Sequence, residues 1–277
     1  MLTDKEVLEL ERKAVQIRTL TINEIANLGA GHIGGAMSVV DLLTILYHKW
    51  LNIDPSNPKK EDRDRLVVSK GHSGPAVYAT LADKGYFPIE WLDTLNQGGT
   101  NLPSHCDMNK TPGVDFTTGS LGQGSSASVG IALGNRYKKV DAFTYLIIGD
   151  GESQEGQIWE AAMSAAHFKL GKLIAFTDCN KQQLDSYTEE IMDLGELDKK
   201  WDSFGWHVQK IDGHDFKALD AAIEKAQAET EKPSMIVLDT IKSKGYFPGE
   251  GQQANHSMAI SKEQAAEAIK RLEGQVK

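Results

Sequence analysis

Two side chains with oxygen atoms follow two apolar stretches of the sequence. Asp150 stands between two glycines directly after the apolar residues 146–148, and Asn180 comes shortly after the apolar residues 173–176. In open parallel sheets, ligands bind beyond the carboxyl ends of strands, where helix N-termini offer N–H groups to anions. A carboxylate there would repel a phosphate unless a divalent cation lay between them, and Mg²⁺ accepts such oxygen ligands. The pattern predicts a magnesium and phosphate site.

The pairing of the two segments carries this prediction. Gly149-Asp150-Gly151 alone is a common turn sequence and would be weak evidence for a site. A complete helix and strand lie between it and Asn180. Both oxygen ligands are therefore expected at the ends of neighbouring strands.

The segments that would position these residues alternate between strand-like and helix-like patterns. Strands are predicted at residues 66–69, 143–148, 172–177, 207–211 and 234–240. Helices are predicted at residues 4–28, 38–50, 75–84, 125–138, 157–170, 196–204 and 215–228. The glycine-rich residues 29–35 and the long segment 97–124 are predicted to be irregular. This rhythm predicts an α/β fold with a doubly wound, mostly parallel sheet and helices on both faces.

The length of 277 residues fits a single domain spanning residues 1–277. The capping-box spacing of Ser261 and Gln264 predicts a last helix, so we expect a C-terminal helical tail from about residue 258.

Composition excludes several classes of protein. The net charge of −9 disfavours nucleic acid and anionic membranes as partners. Only Cys106 and Cys179 are present, which fits a reducing compartment, and no apolar run is long enough for a membrane span. We therefore expect a cytoplasmic protein. A phosphate ligand would have to be held locally by a cation, helix N-termini and histidines.

Four sequence stretches carry a family resemblance. Residues 149–162 resemble the transketolase version of the thiamine diphosphate signature, which begins with Gly-Asp-Gly and ends about 30 residues later at an Asn. Residues 62–72, 111–124 and 206–215 resemble further transketolase motifs in the family's order. The resemblance runs from about residue 10 to about residue 260 and implies the thiamine diphosphate-binding fold.

The resemblance implies roles for individual residues. Asp150 and Asn180 match metal ligands, with the backbone carbonyl of Gln182 as a third. The residues matched to cofactor binding are His72, Gly119, Leu121, Gly151, Glu155, Glu160, Asn180 and His256. Among these, Glu155 and Glu160 match acidic residues of a subunit contact. The implied cofactors are thiamine diphosphate and Mg²⁺, with Ca²⁺ or Mn²⁺ as alternatives.

Four histidines match catalytic residues of the family, namely His32, His72, His105 and His256. Each alone would more often be a surface or capping residue, but imidazole is the natural proton carrier near neutral pH. The other histidines, His48, His167, His207 and His214, match no site position. One departure from the family lies in the metal segment, where Lys181 replaces a usual glycine.

The resemblance covers only the first domain of a transketolase. We therefore expect the diphosphate-binding subunit of an enzyme that transfers a two-carbon ketol unit from a ketose phosphate to an aldose phosphate. It would be active only with a separate C-terminal subunit, in an α2β2 heterotetramer, and a branched or sulfonated sugar could replace the sugar phosphate. The alternatives are a subunit of another thiamine diphosphate enzyme, similar to deoxyxylulose phosphate synthase or a 2-oxo acid decarboxylase, and a non-catalytic module with the same fold.

Overall fold

A computed structural model describes residues 1–275. Its strands are β1 (Ala30–Gly31), β2 (Arg65–Val68), β3 (Thr144–Gly149), β4 (Leu173–Cys179), β5 (His207–Asp212), β6 (Ser234–Asp239) and β7 (Met258–Ala259). Five of them form a fully parallel sheet in the order β2-β3-β4-β6-β5, while β1 and β7 pair antiparallel. The predicted parallel sheet is confirmed, and β3 and β4 are direct neighbours in it.

Ten α-helices accompany the strands within residues 1–275. They are α1 (Asp4–Leu28), α2 (Ile33–Met37), α3 (Val40–Ile45), α4 (Gly74–Asp83), α5 (Gln123–Lys138), α6 (Gly156–His167), α7 (Thr188–Met192), α8 (Leu197–Ser203), α9 (Phe216–Ala228) and α10 (Lys262–Glu273). Within this described part, no helix is both long and apolar enough to cross a membrane.

The sheet buries both of its faces, because successive side chains of a strand point to opposite sides. On β3, Tyr145 and Ile147 belong to one core, which also contains residues of α1, α3, α4, α9 and α10. Leu146 and Ile148 belong to the opposite core, with residues of α5, α6 and α8. The predicted helices on both faces are confirmed. We propose that residues 1–275 form one domain, since both cores share this sheet.

Local capping signals determine both terminal helices. Thr3 and Glu6 form a capping box at the start of α1, and Gly29 ends that helix in the left-handed conformation. Ser261 and Gln264 form the predicted capping box of α10. The segment from about residue 258 packs closely, since β7 pairs with β1 and α10 buries Ala265, Ala268 and Leu272 in the core. Residues 276–277 of the predicted tail lie outside the described residues.

Two predicted boundaries differ from the structure. The glycine-rich stretch is only partly irregular, because residues 33–35 begin the short helix α2. The single helix predicted over residues 38–50 is α3 followed by a π-helical turn, Leu46–Trp50. The N–H of Leu51 donates to the Leu46 carbonyl at 2.8 Å, five residues back, which widens that turn. A local apolar pattern does not distinguish these two helical periods.

A buried ion pair joins the elements around the glycine-rich segment. Arg18 of α1 donates two hydrogen bonds to the carboxylate of Asp41 on α3, at 2.9 and 2.7 Å. His214 contacts the same carboxylate through Nδ1 at 2.7 Å, and its Nε2 accepts the Ile241 N–H at 2.9 Å. The tautomer of His214 is fixed by these two bonds, and the imidazole fastens residue 241 to α3.

Candidate active site

A cavity of about 520 Å³ opens at the carboxyl ends of β3 and β4. Its walls contain most of the residues predicted from the sequence: His32, His72, His105, Gly119, Leu121, Asp150, Gly151, Glu155, Asn180, Gln182 and His256. Glu160 is not among the lining residues and is exposed on α6. The rim residue Glu155 is also exposed. The structure thus gathers residues separated by more than half of the chain.

The strand ends hold the predicted metal ligands in fixed positions. Gly149 pairs with Asp178 at the ends of β3 and β4, so Asp150 and Asn180 follow two adjacent strand ends. The Asp150 carboxylate accepts the N–H groups of Gly151 at 2.8 Å and Lys181 at 2.5 Å. The Asn180 side-chain amide donates to Asp178 at 2.9 Å, which leaves its oxygen on the opposite side, where it accepts the Gln182 N–H at 3.2 Å.

Electrostatics at Asp150 favour a cation. Burial, and then the negative charge of Asp178, raise the pKa of Asp150 to about 7. Asp178 itself is held below its ordinary pKa, because the Lys70 ammonium and hydrogen bonds outweigh its burial. The charged form of Asp150 is therefore disfavoured in the chain alone. A divalent cation at this carboxylate would stabilise that charge.

The donor set fits a hard cation that also takes phosphate oxygens. Residues 1–275 contain no group of three or more His, Cys, Asp or Glu side chains arranged to hold a metal. Asp150 is the one carboxylate of the predicted set, and the other two ligands are amide and backbone oxygens. Gln182 also has a buried side-chain oxygen that accepts no hydrogen bond. Mg²⁺ commonly combines few protein ligands with phosphate oxygens and water, so these residues suit a metal bound together with a phosphate.

Lys181 has a backbone conformation that glycine adopts readily. This explains why a glycine is usual at this position in the family. Its φ of +67° is left-handed, and its ammonium pairs with Asp239 at 2.6 Å on the surface. The departure from the family therefore leaves the turn intact, and the Lys181 N–H still reaches Asp150.

We expect Lys181→Gly to stabilise the chain by up to about 1 kcal/mol, because a non-glycine residue in this conformation costs about that much and an exposed ion pair contributes little. Lys139 has a φ of +58° at the end of α5 and does not line the cavity, so Lys139→Gly is the matched control. Denaturant midpoints of both variants measure the effect. A loss of more than about 1 kcal/mol in Lys181→Gly alone would show that its ion pair matters more than the backbone strain.

The four predicted catalytic histidines form one cluster. The ring of His32 lies 5.8 Å from His72, 5.4 Å from His105 and 5.4 Å from His256, measured between centroids. The rings of His72 and His256 are 4.8 Å apart. Gly35 permits the approach, since a Cβ there would lie 2.9 Å from His72 Nε2. These imidazoles converge on the cavity from four separate segments of the chain, with His72 in a short 3₁₀ helix and the other three outside helices and strands.

The environment keeps the cluster neutral. Burial, and then the Lys70 charge, lower the pKa of His72 well below 6.5. Burial, followed by the Lys242 charge, lowers the pKa of His256 to about 4. Burial lowers the pKa of His32 and of His105 as well. At neutral pH each ring therefore has one nitrogen free to accept a proton and one able to donate.

We expect the His256 ring to titrate near pH 4 in nuclear magnetic resonance spectra, with His256→Gln identifying its signal. Because its pKa in the folded state is below the ordinary value of 6.5, its contribution to stability is lost as the pH falls from about 6.5 through about 4. The raised pKa of Asp150 acts in the opposite direction over this range, so the individual ring and not global unfolding is the measurement. A midpoint at or above 6.5 would refute this assignment.

Sequence reasoning missed two buried lysines of this cavity. Lys70, just after β2, forms an ion pair with Asp178 and donates to the Gly35 carbonyl at 2.8 Å. Lys242, three residues after β6, also lines the cavity. The position of Lys70 two residues before His72 was a usable signal. No signal in the sequence pointed to Lys242, because only the sheet order places the end of β6 beside β4.

The four histidines that match no family position lie outside the cavity lining. His48 contacts Asp83 at 3.0 Å, and His207 contacts Ser234 at 3.2 Å. His214 belongs to the ion pair described above, and His167 lies at the end of α6. None of these four positions brings an imidazole to the cavity.

Comparison with known proteins adds independent evidence. The family model "Transketolase, thiamine diphosphate binding domain" matches residues 10–275. The chain is 55% identical to the 6-deoxy-6-sulfo-D-fructose transketolase subunit SqwG of Clostridium sp. (strain MSTE9), covering 97% of this chain and 98% of that protein. It is 37% identical to an apulose-4-phosphate transketolase subunit of Phocaeicola vulgatus, covering 96% and 94%.

Solved structures agree with these matches. Transketolase from Leishmania mexicana superimposes with a TM-score of 0.90 at 31% identity, over 95% of this chain and 41% of that one. Transketolase 2 of Escherichia coli is 35% identical over 92% of this chain and 40% of its own length. The relatives named as subunits are matched almost over their whole length, whereas these full transketolases are matched over less than half.

Proposed function

The chain belongs to the transketolase family through its thiamine diphosphate-binding domain, and we propose that it is the diphosphate-binding subunit of a two-chain transketolase. The observation that carries this proposal is the convergence of four neutral histidines on the cavity that also contains Asp150 and Asn180. A phosphate site alone would suit many enzymes. A cluster of proton carriers beside it suits the transfer of a hydroxylated carbon unit.

We assign the metal to the end of the sheet. Asp150, Asn180 and the Gln182 carbonyl would hold Mg²⁺, or Ca²⁺ or Mn²⁺ in its place, and the cation would bind the diphosphate. Gly151, His72 and His256 would contact the diphosphate, while Gly119 and Leu121 would line the ring system of the cofactor. When bound, thiamine diphosphate supplies the carbon nucleophile that accepts a two-carbon unit.

The histidines are the proton carriers in this proposal. Ketol transfer moves protons to and from the hydroxyl and carbonyl oxygens of the sugars. His32 and His105 approach each other within the cluster, with ring centroids 5.4 Å apart. Their lowered pKa values keep them neutral, so each can accept a proton from a sugar hydroxyl and return it to an oxygen.

A partner subunit would complete the cavity. The relatives that carry the word subunit in their names match this chain over nearly their full length. Two apolar side chains at the cavity, Leu184 and Met192, are 63% and 58% exposed, and Glu155 stands at the same rim. Apolar groups exposed beside a site favour a protein contact. We propose that a C-terminal subunit covers this rim, with Glu155 and Glu160 at the subunit contact, in an α2β2 assembly.

The substrate we propose is a ketose with an anionic group at its far end. The 55% identical relative is named for 6-deoxy-6-sulfo-D-fructose, so a sulfonated sugar is the first candidate and a sugar phosphate the second. Both of the lysines at the cavity lie beside Asp178 or Asp150, near the diphosphate end. Recognition of the anionic end of the sugar would therefore fall to the partner subunit.

The test is reconstitution with the C-terminal subunit, thiamine diphosphate and Mg²⁺, followed by assay of donors. We expect transfer from 6-deoxy-6-sulfofructose to an aldose phosphate to need both chains. Fructose 6-phosphate and xylulose 5-phosphate serve as comparison donors, and pyruvate separates ketol transfer from decarboxylation. Full activity of this chain alone, or activity with pyruvate only, would contradict the proposal. The mass of the assembly in solution tests the α2β2 state.

A further inference from the structure

A buried carboxylate, that of Glu152, joins three segments at the carboxyl end of the sheet. Glu152 lines the cavity and is only 3% exposed. Its Oε1 accepts the hydroxyl of Ser69, just after β2, and the Gly122 N–H at 2.8 Å. Its Oε2 accepts the N–H of Gly149, the last residue of β3, at 3.0 Å. Glu152 has no part in the proposed metal site or proton transfers, so its place at the cavity calls for another role.

The three links require a carboxylate. Burial raises the pKa of Glu152, and the three hydrogen bonds oppose this shift because they favour the charged form. Gly122 directly precedes the 16-residue helix α5, so the carboxylate also lies at a helix N-terminus, where the helix dipole favours negative charge. A carboxamide of the same size could not replace it, because its nitrogen donates hydrogen bonds and accepts none.

The loop before α5 is held at both of its ends. At the first end, the Thr118 hydroxyl donates to a backbone carbonyl of β2 at 2.7 Å. At the second end, Gly122 has a left-handed φ of +83° and donates its N–H to Glu152. Gly119 and Leu121 lie between these two anchors and line the cavity. The position of this loop at the cavity therefore depends on the Glu152 carboxylate.

The metal segment, in contrast, has anchors that do not involve the Glu152 side chain. Gly149 pairs with Asp178 in the sheet, and the Asp150 N–H donates to the Asp178 carbonyl at 3.2 Å. These contacts join backbone to backbone, so they remain when the side chain of Glu152 is replaced. Loss of the carboxylate should therefore release the loop and leave Asp150 in place.

We propose that Glu152 is a positioning residue, which fixes the loop of Gly119 and Leu121 relative to Asp150. This inference rests on the proposed function, in which that loop lines the ring system of the cofactor and Asp150 holds the metal. In this role Glu152 acts through the loop and not by contact with the cofactor or the sugar. Its replacement should weaken the binding of the cofactor rings and spare the diphosphate end.

The experiment uses the reconstituted two-chain complex and measures binding by calorimetry, with magnesium thiamine diphosphate and magnesium pyrophosphate as probes. We expect Glu152→Met to weaken binding of thiamine diphosphate by at least about tenfold, because hydrogen bonds to a charged group no longer hold the loop. Binding of pyrophosphate, which has no rings, should change by less than about threefold. Glu152→Gln should give an intermediate loss for thiamine diphosphate, because one of the two backbone N–H groups loses its acceptor.

Asp64→Asn is the matched control, because Asp64 is a buried carboxylate of the same kind. It accepts the N–H groups of Asn52 at 2.9 Å and Phe143 at 2.7 Å. Asp64 directly precedes β2, and Phe143 directly precedes β3, so this link lies at the opposite end of the same two strands and outside the cavity lining. Asp64→Asn should lower the denaturant midpoint and bind both probes as the wild type does.

The two probes separate positioning from a general loss of structure. Wild-type affinity for thiamine diphosphate in Glu152→Met, or an equal loss for both probes, would overturn the inference. If Glu152→Met does not fold, Glu152→Gln decides in its place, with a loss of at least about threefold expected for thiamine diphosphate alone. Unchanged affinity in that variant would overturn the inference as well. Absence of thiamine diphosphate binding by the wild-type complex would refute the proposed function instead.

Discussion

Asp150→Asn is expected to weaken binding of magnesium thiamine diphosphate to the two-chain complex by at least about a hundredfold, with a matching loss of transfer activity. Even residues that only orient metal ligands cost about 10–100-fold when replaced, and Asp150 is the one carboxylate of the predicted ligand set. The asparagine keeps the size of the side chain, but its amide nitrogen cannot accept one of the two backbone N–H groups that Asp150 accepts, so the effect combines the lost charge with one lost hydrogen bond. Calorimetry with Mg²⁺ and thiamine diphosphate measures it.

The stability of the metal-free chain should change in the opposite direction to its cofactor affinity. Because the pKa of Asp150 is raised to about 7, its folded-state ionisation is unfavourable, and this cost grows as the pH rises above the ordinary value of 3.8. Without metal at pH 8, Asp150→Asn should therefore be at least as stable as the wild type. Asp239→Asn is the control, since Asp239 is exposed and ends β6, which lies on the other side of β4 from the strand that leads to Asp150. Equal cofactor affinity in Asp150→Asn and the wild type would show that Asp150 is not a metal ligand.

Asp41→Asn is expected to lower the free energy of unfolding by about 3–5 kcal/mol. Its carboxylate accepts two hydrogen bonds from Arg18 and one from His214, and all three side chains are largely buried. Removing one member of a buried ion pair leaves an uncompensated charge, which costs that amount. Urea unfolding at pH 7 measures the loss.

The pH dependence gives a second check on Asp41. Burial would raise its pKa, but Arg18 and His214 hold it well below its ordinary value of 3.8. The stabilisation is therefore complete above about pH 4 and is lost as the pH falls below it, so the variant and the wild type should converge in acid.

We expect Asp41→Asn to affect cofactor binding in the cavity as well. Arg18 and His214 also hold residues 241–244, so their release from Asp41 loosens the segment that carries Lys242. We expect weaker binding of thiamine diphosphate in Asp41→Asn. Asp83→Asn is the matched control, because Asp83 also bridges a cation and a histidine, Lys13 and His48, away from the cavity. It should lose less stability and no cofactor affinity. A similar loss of cofactor affinity in Asp41→Asn and Asp83→Asn would show that the Arg18–Asp41 ion pair does not specifically support the site.

Much of the fold could be predicted because its signals are local. The alternation of strand and helix patterns indicated the parallel sheet, and the capping-box spacing at Ser261 marked a helix start that the structure confirms. These signals are local because the spacing at which the side chains of one helix or strand face the core depends only on residues close in the sequence. The position of Asp150 and Asn180 just beyond neighbouring strand ends was also predictable, since two strands joined by one helix are usually adjacent and parallel.

The histidines were predicted by family resemblance and not by any local pattern. The four histidines, His32, His72, His105 and His256, lie in four separate segments, and the spacing of their sequence positions does not indicate that their rings meet. Part of their convergence comes from the pairing of β1 with β7, because His32 follows β1 and His256 precedes β7. Their roles remain predictions, while their arrangement around one cavity is a property of the structure.

By itself, the sequence determined the fold class, the strand ends that carry Asp150 and Asn180, and the family. Only the tertiary structure decided which charges are paired. Lys70 and Lys242 look alike in sequence, each a short distance beyond a buried strand, yet one has a carboxylate partner and the other donates only to a carbonyl. The reason is physical: the sheet order β2-β3-β4-β6-β5 is set by packing across long sequence separations. The energy of a buried charge depends on neighbours that this packing alone supplies.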